Sequence, residues 1–162
     1  MPTLSYTTAK IPGGTIAVVV ANGVVVASSL RGISDIRSRL SPEFTYKRSD
    51  LPLIKDVLGR YCGGELTALD EVEVSQAGGP FRQDAWSAMR TIEPGTTDTY
   101  GGLAIRAGRP RAYRAVGTAC SGNLVAPFVP CHRVVSASGI GGYGYGLDVK
   151  RALLKHEGAT FK

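Results

Sequence analysis

Long apolar runs are absent from this chain of 162 residues. The two longest, residues 16–21 and 24–27, have the length of strands, whereas a membrane-spanning helix needs about 20 apolar residues. We see no secretory signal, no internal repeat and no low-complexity tract. The sequence therefore predicts a globular protein that has no contact with a membrane.

Cysteine and histidine are also scarce. The three cysteines, Cys62, Cys120 and Cys131, are odd in number and lack a C-x-x-C spacing, and the two histidines are His132 and His156. This set argues against a disulfide framework and against a zinc site, which needs more ligands at regular spacing. We therefore expect no bound metal and a reducing, cytoplasmic setting.

Charge is low but unevenly placed. Charged residues make up 20% of the chain and hydrophobic residues 43%, which is typical of a folded globular protein. Residues 1–75 carry 8 basic and 8 acidic side chains, whereas residues 76–162 carry 11 and 5, which accounts for the whole net charge of +6. A basic second half predicts contact with a polyanion such as nucleic acid; a basic surface that serves solubility is the simpler alternative.

The first half has the pattern of a small α/β unit. Two β-branched runs, residues 15–20 and 24–29, flank Asn22-Gly23, a dipeptide typical of a two-residue hairpin turn. Apolar residues at helical spacing predict a helix over residues 50–62, ended by a pair of glycines. No chemistry is evident in this half, so scaffolding is its default interpretation.

The limits of that unit follow from local signals. Ser49 or Asp50 is expected to cap the helix, and residues 66–74 are expected to be extended. A glycine-rich segment then reads as a linker. We therefore predict two domains, residues 1–77 and residues 80–162.

The second half has a helical pattern. Helices are predicted over residues 81–92, over residues 99–107, and from Pro110 to about residue 120. The last two, joined by a tight turn with a glycine, resemble a helix-turn-helix. Residues 138–146, rich in glycine, suggest a loop or wing, and a final helix is predicted over residues 149–156.

The sequence Pro130-Cys131-His132-Arg133 carries the strongest chemical signal. A thiolate is the nucleophilic form of cysteine, and a neighbouring imidazole and guanidinium favour it at neutral pH. Adjacent side chains of an extended segment point to opposite faces, so coupling of Cys131 to His132 needs a bridging water or a kink at the proline. A structural cysteine beside a surface histidine is the alternative.

Two further residues could support such a nucleophile. Glu157 ends the last helix, where the macrodipole disfavours a carboxylate, so it could orient His132 from behind or simply be an exposed helix end. Asn123 could bond to the backbone of the segment that leads to Cys131, or serve a turn, as most loop asparagines do.

The basic helix could act on DNA. Arg114 either contacts a phosphate or enters the duplex in place of an extruded base, since chemistry on a base requires its removal from the stack. The small residues Ala112 and Gly117 would allow close approach of this helix. Tyr100 is either a core aromatic or a group that helps to rotate a nucleotide, and Tyr143 is either a loop aromatic or a stacking platform.

These residues together resemble the O6-alkylguanine-DNA alkyltransferase family, the methylated-DNA–protein-cysteine methyltransferases. The match extends over about residues 80 to 158, and the first half matches only in general character. The matching residues are Tyr100, Leu103-Ala104, Arg114-Ala115-Val116-Gly117, Asn123, Pro130-Cys131-His132-Arg133-Val134-Val135, Gly142-Tyr143, Gly146-Leu147, Lys150, Leu153-Leu154 and His156-Glu157-Gly158.

The resemblance implies an α/β (α+β) fold, with an N-terminal RNase H-like α/β domain and a C-terminal winged-helix DNA-binding and catalytic domain. It implies a DNA repair protein, a methylated-DNA–protein-cysteine S-methyltransferase. Such a protein flips O6-methylguanine out of DNA and transfers the alkyl group to Cys131 in one irreversible turnover. O4-methylthymine is left open as a substrate. The resemblance implies no cofactor and, as partner, double-stranded DNA bound through the minor groove by a monomer.

Roles for single residues follow from the same resemblance. His132 would act as a base through water, backed by Glu157, while Asn123 organises the active-site loop. Tyr100 would donate a proton to the guanine N3. The remaining residues would contact the flipped base, namely Val134, Tyr143, Gly144 and Tyr145, or the DNA, namely Arg114, Arg111, Ala112, Tyr113, Gly117 and Thr118.

The sequence departs from the family pattern at three places. Leu124 stands where a proline usually follows the asparagine, and Pro94 is shifted by one position from the usual loop proline. Tyr145 stands where small residues are usual at the pocket rim, so we expect it to favour methyl over benzyl-sized adducts.

Three other functions remain open at this point. One is a non-catalytic relative that binds alkylated guanine, although such relatives have replaced the acceptor cysteine. The second is a winged-helix regulator that reads the major groove, which leaves Cys131-His132-Arg133 unexplained. The third is a small thiol hydrolase, which leaves the basic helix unexplained.

Overall fold

A four-stranded sheet forms the first half of the molecule in the computed structural model, which describes residues 3–161. The predicted hairpin is confirmed: Asn22 and Gly23 take positive φ angles of 51° and 79°. The first three strands pair antiparallel, the fourth pairs parallel with the first, and the sheet order is β3-β2-β1-β4. The strands are β1 (Thr3–Ile11), β2 (Gly14–Ala21), β3 (Val24–Ser29) and β4 (Thr45–Arg48).

Both faces of this sheet are buried, which explains why its central strand is a continuous apolar run. Helix α1 (Ile33–Arg39) packs Ile36 against the face that carries Val19. Helix α2 (Pro52–Cys62) covers the opposite face with its apolar stripe, Ile54, Val57, Leu58 and Tyr61.

The predicted helix α2 is confirmed, but its predicted cap is wrong. Leu51 occupies the N-cap position with a φ of 45°, and no side chain caps the helix. Pro52 begins the helix and keeps the residue before it out of the right-handed helical region. Asp50 instead accepts a hydrogen bond from Lys55 Nζ at 3.1 Å.

The extended conformation predicted for residues 66–74 is only partly correct. Residues Ala68–Glu71 form a 3₁₀ turn, and only the end of the segment is extended, where Val74 bridges to Val25. The Arg60 guanidinium contacts Glu65, just before the segment, and Glu71, at the end of the turn, so its contacts span the turn from both sides.

Short helices dominate the second half, so the predicted α+β class is confirmed. Helix α4 begins after Thr99, whose hydroxyl accepts a hydrogen bond from the Gly102 amide at 2.9 Å. Strands β5 (Asp98–Thr99) and β6 (Val134–Val135) form a parallel pair. The helices are α3 (Pro80–Met89), α4 (Tyr100–Arg106), α5 (Tyr113–Ser121) and α6 (Leu147–His156).

The predicted start of helix α5 at Pro110 is wrong. Gly108, with a φ of 80°, ends α4, and residues 109–112 form a separate turn in which the Ala112 amide donates to the Arg109 carbonyl at 2.9 Å. The helix starts at Tyr113, so Arg111 and Ala112 precede it instead of lying on it. Arg114 does lie on the helix, in its first turn.

One hydrophobic core joins the two halves of the chain. Its buried residues include Ile16 and Tyr61 from the first half and Met89 and Leu153 from the second. The division into residues 1–77 and 80–162 stays a prediction. Within residues 3–161, no helix has both the length and the apolar character needed to cross a membrane.

Candidate active site

Cys131 lies at the floor of a cavity of about 450 Å³. It begins a 3₁₀ turn, Cys131–Arg133, and retains 6% of its accessible surface. The turn follows a buried apolar segment, residues 125–130, that holds it against the core. The cavity wall includes Arg31, Arg39, Tyr100, Gly117, Cys120, Asn123, Gly142, Tyr143, Gly144 and Tyr145.

The buried Asn123 side chain provides a hydrogen-bond donor to the sulfur. Its amide nitrogen lies 3.2 Å from Cys131 Sγ and donates to the Val129 carbonyl at 2.8 Å. The amide oxygen accepts from the Val125 amide at 3.2 Å. Asn123 therefore joins the sulfur to the chain that leads to it, as the sequence led us to expect of its backbone contact.

His132 and Glu157 meet behind the cysteine. His132 Nε2 and Glu157 Oε2 are 3.0 Å apart, and both side chains are completely buried. Arg133 donates to the same carboxylate from Nε at 2.9 Å and from Nη2 at 3.0 Å. Tyr61, on helix α2, completes the set with a hydroxyl 2.7 Å from Glu157 Oε2.

This network corrects two expectations. The first half of the chain is more than a scaffold, because Tyr61 reaches the carboxylate behind His132. The guanidinium of Arg133 does not face the thiol, since it binds Glu157 and the Ile92 carbonyl. Residues Cys131–Arg133 form a 3₁₀ turn, so the neighbouring side chains of His132 and Arg133 both reach Glu157, whereas in an extended segment they would point to opposite faces.

The thiol pKa is also shifted in the direction opposite to the one predicted. Burial raises the pKa of the Cys131 thiol, and hydrogen bonding from Asn123 and the nearby positive charge of Lys150 only partly oppose it. Lys150 is buried itself and donates to the carbonyls of Val134, at 2.7 Å, and Gly142, at 2.9 Å. The free site therefore holds a protonated thiol at neutral pH.

The His132 ring is neutral and has a buried nitrogen that can accept a proton. Burial lowers its pKa, although Glu157 acts in the opposite direction, so the ring is neutral at pH 7. With Nε2 directed at the carboxylate, Nδ1 is buried and has no hydrogen-bond partner among the described residues. For Glu157, burial raises the pKa, but hydrogen bonds from His132 and Arg133 outweigh it and the pKa falls below its ordinary value.

Two tyrosines face the sulfur from the cavity wall. Burial raises the pKa of both Tyr100 and Tyr143, so each keeps its phenolic proton at neutral pH. The Tyr143 hydroxyl is near enough to lower the thiol pKa, yet it makes no hydrogen bond of good geometry with any described group. The cavity thus contains donors as well as the nucleophile.

The rim of the cavity is built from both halves of the chain. The ring of Tyr145 meets that of Tyr143 edge to face, with centroids 5.7 Å apart. Arg39 donates to the Tyr145 hydroxyl at 3.1 Å, and Arg31 lies over the ring at 5.5 Å while bonding to the Gly144 carbonyl. Tyr145 is therefore held in place as part of the wall.

Helix α5 forms the edge of the cavity and also an open surface. Gly117 lines the cavity, and a Cβ at this position would point into open space, since no atom other than its chain neighbours and the backbone of its own helix lies within 4 Å. On the same helix Arg114 and Thr118 are exposed, and Tyr113 retains 52% of its surface. Arg111 is exposed in the preceding turn.

Four residues of this site escaped the chemical analysis of the sequence. Tyr61 was assigned to the apolar stripe of helix α2. Its hydroxyl was the one signal that it needs a hydrogen-bond partner when buried. Lys150 lies next to apolar neighbours in an amphipathic helix, and this position was the signal that could have indicated a buried lysine. Arg31 and Arg39 gave no local signal for the site, because their hydrogen bonds to Gly144 and Asn123 join residues more than 80 positions apart.

The fold and the site define a class: a buried cysteine in the lining of a pocket that is also lined by a helix with an exposed arginine. Comparisons with known proteins make this class specific. The family model described as "6-O-methylguanine DNA methyltransferase, DNA binding domain" matches residues 80–159.

Among the described residues, none of the His, Cys, Asp and Glu side chains form a group that could hold a metal ion.

Curated relatives carry the same description. The methylated-DNA–protein-cysteine methyltransferase of Salmonella typhimurium is 42% identical over 106 residues, and that of Mycobacterium bovis is 50% identical over 103 residues. These alignments span 65% and 63% of this chain, and in both cases 62% of the relative.

A solved structure extends the likeness to nearly the whole chain. Mycobacterium tuberculosis OGT, crystallised in complex with DNA, is 36% identical with a TM-score of 0.81, and the match covers 95% of this chain and 92% of that one. The O6-methylguanine-DNA methyltransferase of Pyrococcus kodakaraensis is 28% identical with a TM-score of 0.70 and similar coverage, 96% and 99%. The chain belongs to the 6-O-methylguanine DNA methyltransferase family.

Proposed function

We propose that this protein repairs O6-methylguanine in double-stranded DNA by transferring the methyl group to Cys131. The observation that carries the proposal is the position of the sulfur at the floor of a pocket whose edge is helix α5. A base rotated out of a duplex that lies on that helix would enter the pocket directly. The names of the relatives and of the solved structures support the same reaction.

The nucleophile would form only when the substrate is in place. The buried thiol keeps its proton in the free protein, which protects it from reaction with other electrophiles. His132 Nδ1 would accept the thiol proton through a bridging water, while Nε2 donates to Glu157. Asn123 and Lys150 would then stabilise the thiolate.

The transfer itself is a displacement at an sp³ carbon. A sulfur lone pair forms the S–C bond to the methyl group as the bond from that carbon to guanine O6 breaks. The electron pair released to the base requires a proton, which the protonated Tyr100 would donate at guanine N3. The leaving group is then neutral guanine.

DNA binding would use helix α5 and the turn before it. We place the helix in the minor groove, with Gly117 and Ala112 allowing close approach and Arg114 filling the space of the rotated base. Arg111, Tyr113 and Thr118 would contact the backbone from their exposed positions. Inside the pocket, Val134, Tyr143, Gly144 and Tyr145 would surround the base.

The product explains why one turnover is the limit. Sulfur and the methyl carbon form a thioether, which water does not readily cleave, so the protein is consumed as a reagent. The site would need no cofactor and no second copy, since one chain supplies every group; we propose a monomer. A reduced thiol fits a cytoplasmic protein, and residues 1–77 and 80–162 would be its two domains.

The direct test is intact mass after incubation with a duplex that contains one O6-methylguanine. We expect a gain of one methyl group, absent in Cys131→Ser, while that variant still binds the duplex. Binding without a mass change in the native protein would reject the transfer and favour a recognition protein. More than one equivalent of repaired base per protein would favour a hydrolase.

A further inference from the structure

Gln76 joins the segment between the two halves of the chain to the active-site asparagine. Its side-chain nitrogen donates to Asn123 Oδ1 at 2.9 Å, and its side-chain oxygen accepts from the Leu124 amide at 2.7 Å. Both ends of the amide are therefore in use, although the side chain is only partly buried. Nothing in the sequence pattern marked this residue.

The orientation of the Asn123 amide decides whether Cys131 faces a donor or an acceptor. In the observed orientation its NH₂ group points to the sulfur and to the Val129 carbonyl. Rotation by half a turn would bring Oδ1 against both, which removes the donor and places two oxygens together. The two groups that fix Oδ1 on the other side are the Gln76 NH₂ and the Val125 amide.

Gln76 is itself oriented by a group that can only donate. The Leu124 N–H requires an acceptor, so it holds the oxygen of Gln76 toward itself and turns the NH₂ toward Asn123. The three hydrogen bonds run in one direction, from Leu124 to Gln76, from Gln76 to Asn123 and from Asn123 to the sulfur. A proline at position 124 would have no N–H and could not begin this chain.

We propose that Gln76 is a positioning residue that acts through Asn123, holding the asparagine NH₂ toward the Cys131 sulfur. In the proposed repair reaction, on which the functional part of this inference rests, the Cys131 thiolate would have a hydrogen-bond donor fixed in place. The effect on the thiol itself is present without DNA and can be measured alone.

The test replaces Gln76 with the isosteric glutamate and follows the reaction of Cys131 with iodoacetamide as a function of pH. The carboxylate can accept from Leu124 but cannot donate to Asn123, so the asparagine turns and the sulfur loses its donor. We expect the pH midpoint for Cys131 to rise by about one pH unit, because a lost hydrogen bond to the charged form raises a pKa. Peptide mass spectrometry separates Cys131 from the exposed Cys62.

Three further variants separate positioning from other effects. Gln83→Glu is the matched control, because the Gln83 side chain donates to the backbone carbonyls of Gln76 and Gly78, so the change alters the same segment but leaves the side-chain bond from Gln76 to Asn123; the Cys131 midpoint should stay at the native value. Gln76→Met keeps the shape without charge and should raise the midpoint by less than Gln76→Glu. In an Asn123→Ala background Gln76→Glu should produce no further rise, whereas direct repulsion by the new charge would still raise it.

A native midpoint in a folded Gln76→Glu protein would overturn the proposal, and so would an equal rise in the Asn123→Ala background. If Gln76→Glu fails to fold, the Gln76→Met midpoint decides, and a native value there overturns the proposal as well. Native protein that shows these shifts but gains no methyl group would reject the proposed function and leave the positioning role supported.

Discussion

At the scale of residues, the site combines the buried Cys131 thiol with groups that would stabilise it only after the thiol has lost its proton. Burial raises the pKa of Cys131, and the same burial lowers that of His132, so the resting pair is a neutral thiol beside a neutral imidazole. Each charged form has its own stabilising neighbours. Asn123 and Lys150 stabilise the thiolate, and Glu157 stabilises the protonated imidazole. In the proposed reaction, the reactivity of Cys131 would therefore depend on substrate binding.

Tyr145 provides a prediction about adduct size. Its ring contacts Tyr143, Arg31 and Arg39 in the cavity lining, so in the proposed reaction it would narrow the mouth through which a modified base enters. We expect Tyr145→Gly to increase the transfer rate for O6-benzylguanine by a larger factor than the rate for O6-methylguanine. Single-turnover rates on the two adducts test this, and a ratio unchanged by the substitution would exclude Tyr145 as a determinant of size.

Several site residues were predictable because their signals are local. Cys131, His132, Asn123 and Tyr143 stand in short motifs, and the structure brings all four to the same cavity or directly behind it. The direction of the thiol pKa was not predictable, since a neighbour in sequence indicates chemistry but not burial. The 3₁₀ turn that carries Arg133 away from the sulfur is likewise invisible in a pattern of residue types.

At the scale of elements, helix α5 and the turn before it would have separate parts in the proposed DNA binding. Arg114 lies on the helix, with its guanidinium 5.9 Å from the ring centre of Tyr113, while Arg111 lies in the exposed turn. The sequence placed both on one helix, because Pro110 is a common first residue of helices. In the structure, Gly108 ends the preceding helix and residues 109–112 form a turn, so Arg111 lies outside helix α5.

Arg114→Ala and Arg111→Ala should therefore differ. We expect Arg114→Ala to slow methyl transfer strongly from bound DNA, because the rotated base is no longer replaced in the stack. Arg111→Ala should weaken binding and lower the slope of log K against log salt by about 1, as expected for a lost phosphate contact. Single-turnover rates at saturating DNA and salt titrations check both, and equal effects of the two variants would refute the division.

Helix α2 supplies a second prediction, about the contact between the two halves. Tyr61→Phe removes the hydroxyl that donates to Glu157 but keeps the buried ring. We expect the free energy of unfolding to fall by about 1.5–3 kcal/mol, the usual contribution of a hydrogen bond to a charged group. Denaturant unfolding measures it.

Tyr46→Phe is the matched control for this substitution. Its hydroxyl donates to the Ser41 carbonyl at 3.3 Å and lies away from Glu157. We expect a smaller loss of stability from it and no change in methyl transfer, whereas Tyr61→Phe should also slow transfer because the carboxylate behind His132 is less firmly held. Identical behaviour of the two variants would show that Tyr61 has no special part.

At the scale of the whole molecule, a shared hydrophobic cluster and a buried ion network join the first half to the second. The hairpin and the helices of both halves were predictable from turn residues and apolar spacing. Their assembly was not, because it depends on contacts such as that of Tyr61 with Glu157, 96 positions apart. Strand β1, Thr3–Ile11, also gave no clear signal, since the buried Thr7 and the half-buried Ser5 and Thr8 interrupt its apolar pattern.

The buried network predicts that the protein loses stability in acid. The pKa of His132 is below its ordinary 6.5 in the folded state, so the unfolded chain binds more protons there as the pH falls below 6.5. Glu157 adds to the loss below its ordinary 4.5, because its folded pKa is also lowered. We expect the unfolding temperature to be steady between about pH 7 and pH 8 and to fall in these two acid ranges. An unfolding temperature constant down to about pH 4 would contradict this.

The central claim is that Cys131 accepts one methyl group from guanine O6 and is then spent. The most direct measurement is the stoichiometry of transfer from a duplex with a radiolabelled methyl group, present in excess, with the label located by peptide mapping. The account predicts one equivalent of label per protein, all of it on Cys131, and no further release of repaired guanine. Label on another residue, or guanine release that continues past one equivalent, would contradict it.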